Sequence, residues 1–255
     1  MLKISVVIIT LNEEKNLERC LRSVQTIADE IVVVDSNSTD KTEEISRHYN
    51  ASFVSQSFLG YVEQKNYATS IAKNDWVLSL DADEELSEEL MQSLIQLQPN
   101  ERNIAFKVER FSNYCGKWIK HSGWYPDKKI RLYNKKFGCW EGDKIHEYWQ
   151  PLIKQKALLL KGHLFHYTYH SVSDFFKQIE HYSEIIAWRD VNKGITTNIL
   201  VVFLAPIWKF FYNYILKLGF LDGYEGYMIC KLSAFASFAK YSKIFQYGKI
   251  SKHKS

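Results

Sequence analysis

Apolar runs and polar turns alternate along the first hundred residues, and this pattern predicts buried strands that are each followed by a helix. The predicted strands are Lys3–Thr10, Glu30–Asp35, Ala51–Ser55 and Trp76–Leu80. Lys3–Thr10 is β-branched and continuously apolar, which is typical of a strand buried on both faces of a parallel sheet, and Glu30–Asp35 and Trp76–Leu80 are also short, mostly apolar runs. Between them, apolar residues recur at helical spacing, as at Leu17, Cys20, Leu21 and Val24. This order predicts an α/β fold with a Rossmann-like, doubly wound, mostly parallel sheet.

The pattern changes after Arg102. Strands in a mixed or antiparallel extension are predicted at Asn103–Arg110, Lys129–Tyr133 and Leu158–Thr168, and a long amphipathic helix at Val172–Val191. A shaped loop rich in Trp, Tyr and Gly, Tyr114–Asp127, lies between the first two of these strands. Such loops bind ligands when a rigid scaffold holds them. We therefore predict one domain over residues 1–192, with halves 1–100 and 101–192, and a separate tail over 193–255.

The tail is apolar and basic. Ile199–Leu221 is interrupted by Pro206, Lys209, Asn213 and Lys217, whereas a membrane-spanning helix needs about 20 apolar residues. A pair of helices lying in the membrane interface fits this composition better. Residues 193–255 hold 9 Lys and 2 acidic residues, so an anionic bilayer would attract them. The alternative is an ordinary pair of core helices.

Charge divides the chain into two unlike parts. Residues 1–100 carry 8 Lys/Arg and 17 Asp/Glu (net −9), whereas residues 101–255 carry 25 and 12 (net +13). An acidic half that handles a cation and a basic half that meets an anionic membrane fit this asymmetry better than nucleic-acid binding. The cysteines are scattered without a C-x-x-C pair, which predicts free thiols in a reducing cytoplasm. The first residues do not have the pattern of a signal peptide.

Candidate ligand groups follow three of the four predicted strands: Thr10–Glu14, Asp35, and the pair Asp81 and Asp83. A doubly wound sheet binds its ligand at the carboxyl ends of its strands. Asp81 and Asp83, one residue apart, could both reach one hard cation or one diphosphate-bearing ligand. The alternative is an acidic turn that only caps the next helix. No G-x-G-x-x-G or P-loop sequence is present, which argues against a dinucleotide or P-loop enzyme.

The order and spacing of four segments resemble an inverting family 2 glycosyltransferase with the GT-A fold. The segments are S-V-V-I-I-T-L-N-E-E, E-I-V-V-V-D-S-N-S-T-D-K-T, Q-K-N-Y-A and S-L-D-A-D-E. In the second half, G-W-Y-P-D-K-K-I-R-L-Y, I-H-E and G-F-L-D-G-Y-E-G resemble bacterial lipopolysaccharide or lipooligosaccharide inner-core β-1,4-glucosyltransferases. The resemblance implies transfer of one hexose, from UDP-glucose, to a lipid-linked oligosaccharide on the cytoplasmic face of the inner membrane. Galactose and N-acetylhexosamine donors stay open.

The resemblance also implies donor-side roles, with residues 1–100 as the nucleotide-sugar half. The uridine would be lined by Thr10, Leu11, Asn12 and either Glu13 or Glu14, with Asp35 accepting a hydrogen bond from the uracil edge. Lys65 would lie near the base or the diphosphate, unless it is a surface helix lysine. Asp81 would contact the ribose and Asp83 would bind Mg²⁺ or Mn²⁺, with the later His166 as a further candidate metal ligand.

An inverting transfer needs one base, which the resemblance puts in the acceptor half, residues 101–192. The I-H-E segment favours Glu147, with Asp143 second; the other candidates are Glu141, His146 and Asp127. Arg131 could bind the diphosphate or an acceptor phosphate, or form only a surface salt bridge. His163 and His170 are predicted to be structural. Trp118, Trp124 and Tyr125 could stack on sugar rings, although core packing is favoured.

Other functions remain open at this stage. Within the same class, the acceptor could be a polyprenyl phosphate or another glycan. A phosphoacceptor receiver domain needs acids after its first strand, where this chain has Thr10. A catalytically inactive membrane scaffold is disfavoured by the retained Asp35, Asp81, Asp83 and Glu147. The Q-x-x-R-W segment of polymer-forming synthases is absent, which predicts one sugar per acceptor.

Overall fold

The computed structural model describes residues 2–100, 103–143 and 146–252, with only the backbone at 146, 251 and 252. The chain forms two compact units. Unit 1 comprises Met1–Phe111 and Asp127–Tyr167, and unit 2 comprises Ser112–Pro126 and Thr168–Ser255. The domain division predicted at residue 192 stays a prediction.

The first half of unit 1 is built from parallel strands and the helices between them. Its strands are β1 (Ile4–Thr10), β2 (Glu30–Asp35), β3 (Ser52–Ser55) and β4 (Trp76–Asp81), in the order β3-β2-β1-β4. The helices are α1 (Leu17–Val24), α2 (Thr42–His48), α3 (Tyr61–Ile71) and α4 (Glu88–Ile95). In the parallel registers Thr10 pairs with Asp35, and Ile9 with Asp81. The predicted ligand groups therefore lie at one edge of the sheet.

The sheet continues with strands of the second half, so that the described residues form a nine-stranded mixed sheet. The added strands are β5 (Glu84–Leu86), β6 (Ala105–Tyr114), β7 (Lys117–Trp118), β8 (Asp127–Asn134) and β11 (Leu158–Tyr169). Beyond β4 the order is β8-β6-β11-β5, and β7 pairs with β6. Strands β9 (Gly138–Asp143) and β10 (His146–Pro151) form a separate antiparallel hairpin. The predicted α/β class is confirmed, whereas β5 and the hairpin were not predicted.

Both faces of β1, β2 and β4 are largely buried, which explains their mostly apolar sequences, whereas the short edge strand β3 is half-buried to exposed. On one face Ile8 and Leu80 pack with Leu21 of α1 and Leu90 of α4. On the other face Val7, Val34 and Val77 belong to a second cluster that includes Ala68 of α3 and Trp149 of the hairpin. Each burial of a large aliphatic side chain contributes about 1.5–3 kcal/mol. This packing fixes the strand ends on which the candidate site is built.

Unit 2 is mainly helical around an aromatic core. Its helices are α5 (Val172–Asn192), α6 (Ile199–Phe211) and α7 (Gly223–Lys252), with a π-helical turn at Tyr212–Leu216 and a 3₁₀ turn at Gly219–Asp222. Ser171 caps α5 by accepting a hydrogen bond from the backbone N–H of Asp174. Trp124 packs against Tyr114, Tyr169 and Phe175. Trp124 therefore packs in the core of this unit, which is the role that the sequence analysis favoured over sugar stacking.

The G-F-L-D-G-Y-E-G segment has a structural role within unit 2. A Cβ at Gly226 would lie 2.1 Å from the carbonyl oxygen of Gly219, so the 3₁₀ turn and α7 approach too closely for a side chain. The buried Asp222 accepts hydrogen bonds from the backbone N–H groups of Lys120 (3.2 Å) and His121 (2.9 Å). The segment thus holds the Trp- and Tyr-rich loop, whose backbone groups would otherwise be left without partners.

Candidate functional site

The first wall of the candidate site is formed where β1 and β2 end. Thr10 donates a hydrogen bond of 2.8 Å to Oδ1 of Asp35, which is 2% exposed. The backbone N–H of Ser38 donates to Oδ2 of Asp35 at 2.7 Å, and the Ser38 hydroxyl donates to Oδ1 at 2.5 Å. A carboxylate offers about four acceptor positions, so one position remains for a ligand. The uracil contact of Asp35 stays a prediction.

The turn after β1 is tied to the turn after β2. Asn12 adopts a left-handed backbone (φ 54°), and its N–H donates to the Ser38 hydroxyl at 2.6 Å. Its side-chain oxygen accepts the N–H of Thr39 at 2.9 Å. Leu11 beside it is 54% exposed. The two turns therefore form one rigid ledge with an uncovered apolar side chain, on which a flat ligand such as a base could rest.

Glu13, on this ledge, has a carboxyl group whose ionised form is disfavoured by burial. Burial raises the pKa of its carboxyl to about 7, and the negative charges of Asp83, Asp40 and Asp81 add to the effect, although a hydrogen bond from Asn16 opposes it. Both aspartates of the D-x-D segment are thus among the negative charges that disfavour the ionised form of Glu13. A bound cation would lower this repulsion, so the ledge is suited to a ligand that arrives with a divalent metal.

A buried lysine joins the D-x-D segment to the hairpin. Lys65 on α3 is 1% exposed, and its ammonium lies 2.9 Å from Oδ1 of Asp81 and 3.0 Å from Oε1 of Glu147. The same ammonium lies 4.7 Å from the centre of the Trp140 ring. The alternative that Lys65 is a surface helix lysine is wrong. Because a buried cation needs opposite charges, Lys65 holds two carboxylates that sequence analysis assigned to different halves.

Arg131 is buried too, against the other side of Asp81. One terminal nitrogen lies 2.6 Å from Oδ2 of Asp81 and 2.5 Å from Oε1 of Glu84, and Arg131 is 4% exposed. The alternative of a surface salt bridge is therefore wrong. Its Nε is buried without a hydrogen-bond partner among the described residues. The predicted contact of Arg131 with the diphosphate or with an acceptor phosphate stays a prediction. The unpaired Nε donor favours it.

Glu84 is a site residue that sequence analysis missed. It is fully buried, it pairs with Arg131, and its Oε2 accepts the backbone N–H of Asp81 at 3.0 Å. Its only signal in the sequence is its place directly after the D-x-D pair, in a run of acids that could also be an acidic turn capping the next helix. Glu84 instead begins β5, and this strand pairs antiparallel with β11.

These contacts keep Asp81 ionised. Burial raises the pKa of its carboxyl, but the charges and hydrogen bonds of Arg131 and Lys65 outweigh burial and hold the pKa well below its ordinary value. Burial likewise lowers the pKa of Arg131, while Asp81 and Glu84 raise it above the ordinary value. Both oxygens of Asp81 already have cationic partners. The predicted ribose contact, which stays a prediction, would therefore share an oxygen with Lys65 or Arg131.

Asp83 and His166, the two predicted metal ligands, lie together. Oδ2 of Asp83 is 3.1 Å from Nε2 of His166, because β11 runs beside β5. In an octahedral Mg²⁺ or Mn²⁺ site, neighbouring ligands at about 2.1 Å from the metal are about 3 Å apart, so the pair fits such an ion. The described residues contain no group of three or more metal-ligating side chains. Mg²⁺ commonly binds one or two protein groups and completes its shell with water and substrate phosphates.

The hairpin decides which acceptor-side candidates reach this site. Glu147 on β10 pairs with Gly142 on β9 and extends to Lys65. Asp143 and Glu141 are exposed on β9. Asp127 is paired with Arg110 at 2.7 Å. The side chain of His146 lies outside the described residues. The structure therefore brings Glu147, and not Asp127, to Lys65 and Asp81; the base assignment to Glu147 or Asp143 stays a prediction.

The Q-K-N segment of α3 explains how the hairpin is held. Asn66 donates a hydrogen bond to the carbonyl oxygen of Trp140 (2.8 Å) and accepts the N–H of Trp140 (2.9 Å). Trp149 stacks on Tyr133 with ring centres 4.9 Å apart. The two tryptophans therefore anchor the hairpin to α3 and β8. Lys65, next to Asn66 on the same helix, meets Glu147 as a consequence.

Comparison with known proteins gives the family. Residues 5–155 match the profile described as Glycosyl transferase family 2. The chain belongs to glycosyl transferase family 2. An uncharacterised glycosyltransferase of Rickettsia typhi is 33% identical over 254 residues, which cover 96% of this chain and 87% of the relative. The family membership makes this protein a transferase, and its mixed sheet with C-terminal helices is GT-A-like.

Two further similarities concern named proteins. This glycosyltransferase is 27% identical over 258 residues to the lipopolysaccharide core biosynthesis glycosyltransferase LpsC of Rhizobium meliloti, covering 96% of this chain and 93% of LpsC. The crystal structure of S. aureus TarS 1–349 in complex with UDP-GlcNAc aligns with 100% of this chain and 93% of that one. That alignment has 14% identity and a TM-score of 0.48.

Proposed function

We propose that this glycosyltransferase moves a single hexose from a UDP-sugar, UDP-glucose in the first instance, to a core sugar of a lipopolysaccharide or lipooligosaccharide, such as heptose. The acceptor class is supported by the similarity to LpsC along nearly the whole of both chains. The observation that carries the chemistry is the pairing of one buried lysine with Asp81 and with Glu147. It puts the predicted donor carboxylate and the predicted base in one cluster.

The donor would bind across the ends of β1, β2 and β4. The ledge formed by Asn12 and Ser38 would support the uridine, with Asp35 at the uracil edge and Leu11 covering one face. Arg131, with its orphan Nε, would contact the diphosphate. Asp83 and His166 would hold Mg²⁺ or Mn²⁺, which supplies Lewis-acid stabilisation of the diphosphate when bound. A cation also offsets the acidity around Glu13.

In the transfer itself, Glu147 accepts the proton of the attacking acceptor hydroxyl. The bond from that oxygen to the sugar C1 forms as the bond from C1 to the diphosphate oxygen breaks, with inversion at C1, and UDP leaves with both bonding electrons. Lys65 holds the carboxylate of Glu147 in one orientation at 3.0 Å. A positioned base of this kind contributes roughly 10²–10⁴-fold to the rate. Asp143, on the facing strand, is the second candidate for this role.

We propose that the enzyme works in the cytoplasm, bound peripherally to the inner face of the inner membrane, where it meets a lipid-linked acceptor. The four cysteines are all unpaired, which fits a reducing compartment. The net positive charge of the tail fits an anionic bilayer.

A panel of donors and acceptors tests the proposal. Purified enzyme is mixed with UDP-glucose, UDP-galactose or UDP-N-acetylglucosamine, with Mn²⁺ or EDTA, and with a truncated lipopolysaccharide core or a polyprenyl phosphate. We expect metal-dependent UDP release that needs the core acceptor and gives a product one hexose heavier. Transfer only to the polyprenyl phosphate would replace the acceptor. UDP binding without turnover on any acceptor would favour the scaffold alternative.

A further inference from the structure

The surface of α6 in unit 2 is apolar and exposed along most of its length. Six large apolar side chains recur at helical spacing and are 44–66% exposed: Leu200, Phe203, Leu204, Ile207, Trp208 and Phe211. Only Val202 of α6 is buried. An exposed stripe of this size on a soluble surface indicates a partner. We call these six residues the α6 stripe.

Cations lie beside the aromatic side chains at the end of α6 and just after it. Lys231 on α7 lies 5.0 Å from the ring centre of Phe210, and Lys217 lies 5.5 Å from that of Tyr212. Lys209 is exposed on α6 itself. The helix and the π-helical turn, Ile199–Leu216, contain no acidic residue. Apolar side chains flanked by aromatic rings and lysines match the interface of an anionic bilayer, where rings sit at headgroup level and ammonium groups reach the phosphates.

The segment Ile199–Leu216 is long and apolar enough, by length and composition, to cross a membrane. Two features of unit 2 argue that it lies in the interface instead. Its 18 residues would extend about 27 Å as a helix, short of the roughly 30 Å hydrocarbon core. Phe210 packs against Tyr227 of α7, so a crossing helix would carry α7 and its Lys231 into hydrocarbon.

We propose that the α6 stripe is a docking surface for a bilayer that contains anionic phospholipid, with α6 in the plane of the interface and Lys209 and Lys217 on the headgroup phosphates. This deepens the proposed location by naming the surface that carries it. Vesicle binding needs neither donor nor acceptor. Loss of vesicle binding would therefore leave the proposed transfer activity untouched, and loss of the activity would leave vesicle binding untouched.

Co-sedimentation of the full chain with vesicles tests the apolar part. The vesicles are phosphatidylcholine alone or phosphatidylcholine with about 30% phosphatidylglycerol, which gives them an anionic surface. We expect the double variant Phe203→Ser/Ile207→Ser to bind the mixed vesicles at least about tenfold more weakly than wild type, because it loses two large insertable side chains. The matched control is Leu152→Ser/Ile153→Ser, an exposed apolar pair of unit 1 at 75% and 52% exposure, which should bind as wild type.

A second variant tests the charges and keeps the proposal falsifiable if the first does not fold. Lys209→Gln/Lys217→Gln should weaken binding about tenfold on the mixed vesicles and leave binding to phosphatidylcholine unchanged. Raising the salt should weaken wild type more than this variant. Unchanged binding by both double variants, or no vesicle binding by wild type, overturns the proposal. The proposal is also overturned if light scattering shows that wild type is a dimer and that Phe203→Ser/Ile207→Ser is a monomer that still binds vesicles. A second copy of the chain would then cover the stripe.

Discussion

The ammonium of Lys65 lies 3.0 Å from a carboxylate oxygen of Glu147, a residue 82 positions later in the chain. The same ammonium lies 2.9 Å from Asp81. Lys65 therefore connects the end of β4, where the donor is expected, to the β9–β10 hairpin, where the base is expected. The contact gives both halves of the predicted chemistry a common buried charge.

Removing this lysine should cost stability. Lys65→Met leaves Glu147 without its cation and Asp81 with Arg131 alone, and breaking a buried ion pair costs about 3–5 kcal/mol. Because the Asp81 and Glu147 side chains are 28% and 21% exposed, we expect a loss of about 2–3 kcal/mol in the free energy of unfolding by urea at neutral pH. The matched control is Lys136→Met, whose ion pair with Asp75 is exposed and should contribute less than about 1 kcal/mol. Equal effects of the two variants would contradict the buried bridge.

Glu84 should be a structural requirement of the site. Glu84→Gln removes a fully buried negative charge from between Arg131 and the backbone of Asp81. We expect a loss of about 3 kcal/mol in unfolding free energy with an unchanged denaturant slope. Glu43→Gln, which breaks an exposed pair with Arg47 on α2, should cost less than about 0.5 kcal/mol. A Glu84→Gln protein as stable as the control would show that Arg131 does not need its second partner.

Glu13 should make stability fall as the pH rises. Its folded pKa of about 7 lies above the ordinary 4.5, so the folded state binds the extra proton between these values. Stability from this group is full below pH 4.5 and is lost as the pH rises through about 7. In EDTA, Glu13→Gln should therefore exceed wild type by about 2–3 kcal/mol at pH 8 and by much less at pH 5. A pH-independent difference between the two proteins would contradict the assignment.

The metal pair can be tested by binding alone. With UDP present, His166→Ala should weaken Mn²⁺ binding, measured by electron paramagnetic resonance, at least about tenfold, and Asp83→Ala should weaken it further because it removes the charged ligand. His181→Ala, an exposed histidine on α5, is the matched control and should bind Mn²⁺ as wild type. If His166→Ala also binds as wild type, the 3.1 Å contact with Asp83 is only a hydrogen bond.

The sequence predicted the strand ends of the site well, because apolar runs such as those of β1, β2 and β4 form buried strands of the parallel sheet in an α/β protein. Thr10, Asp35 and Asp81 consequently lie at one sheet edge, as expected. The hairpin was missed, because among its described residues only Trp140 and Trp149 are buried hydrophobics, and two positions do not make a strand pattern.

The partners of the charged residues could not be predicted. Lys65 and Arg131 have the sequence surroundings of surface cations, and their burial depends on carboxylates that tertiary packing brings from other elements. Glu84 looks like one more acid in a solvated turn until the pairing of β5 with β11 buries it.

Turnover by base variants tests the central claim most directly. In metal-dependent transfer from a UDP-sugar, Glu147→Gln should lower kcat at least about a hundredfold, because the amide cannot accept the proton. UDP affinity should stay within about twofold of wild type, since the amide oxygen can still accept a hydrogen bond from Lys65. Asp143→Asn, on the facing strand of the same hairpin, should retain most of kcat. The opposite result, with Asp143→Asn inactive and Glu147→Gln active, would contradict the assignment of the base to the carboxylate that Lys65 holds.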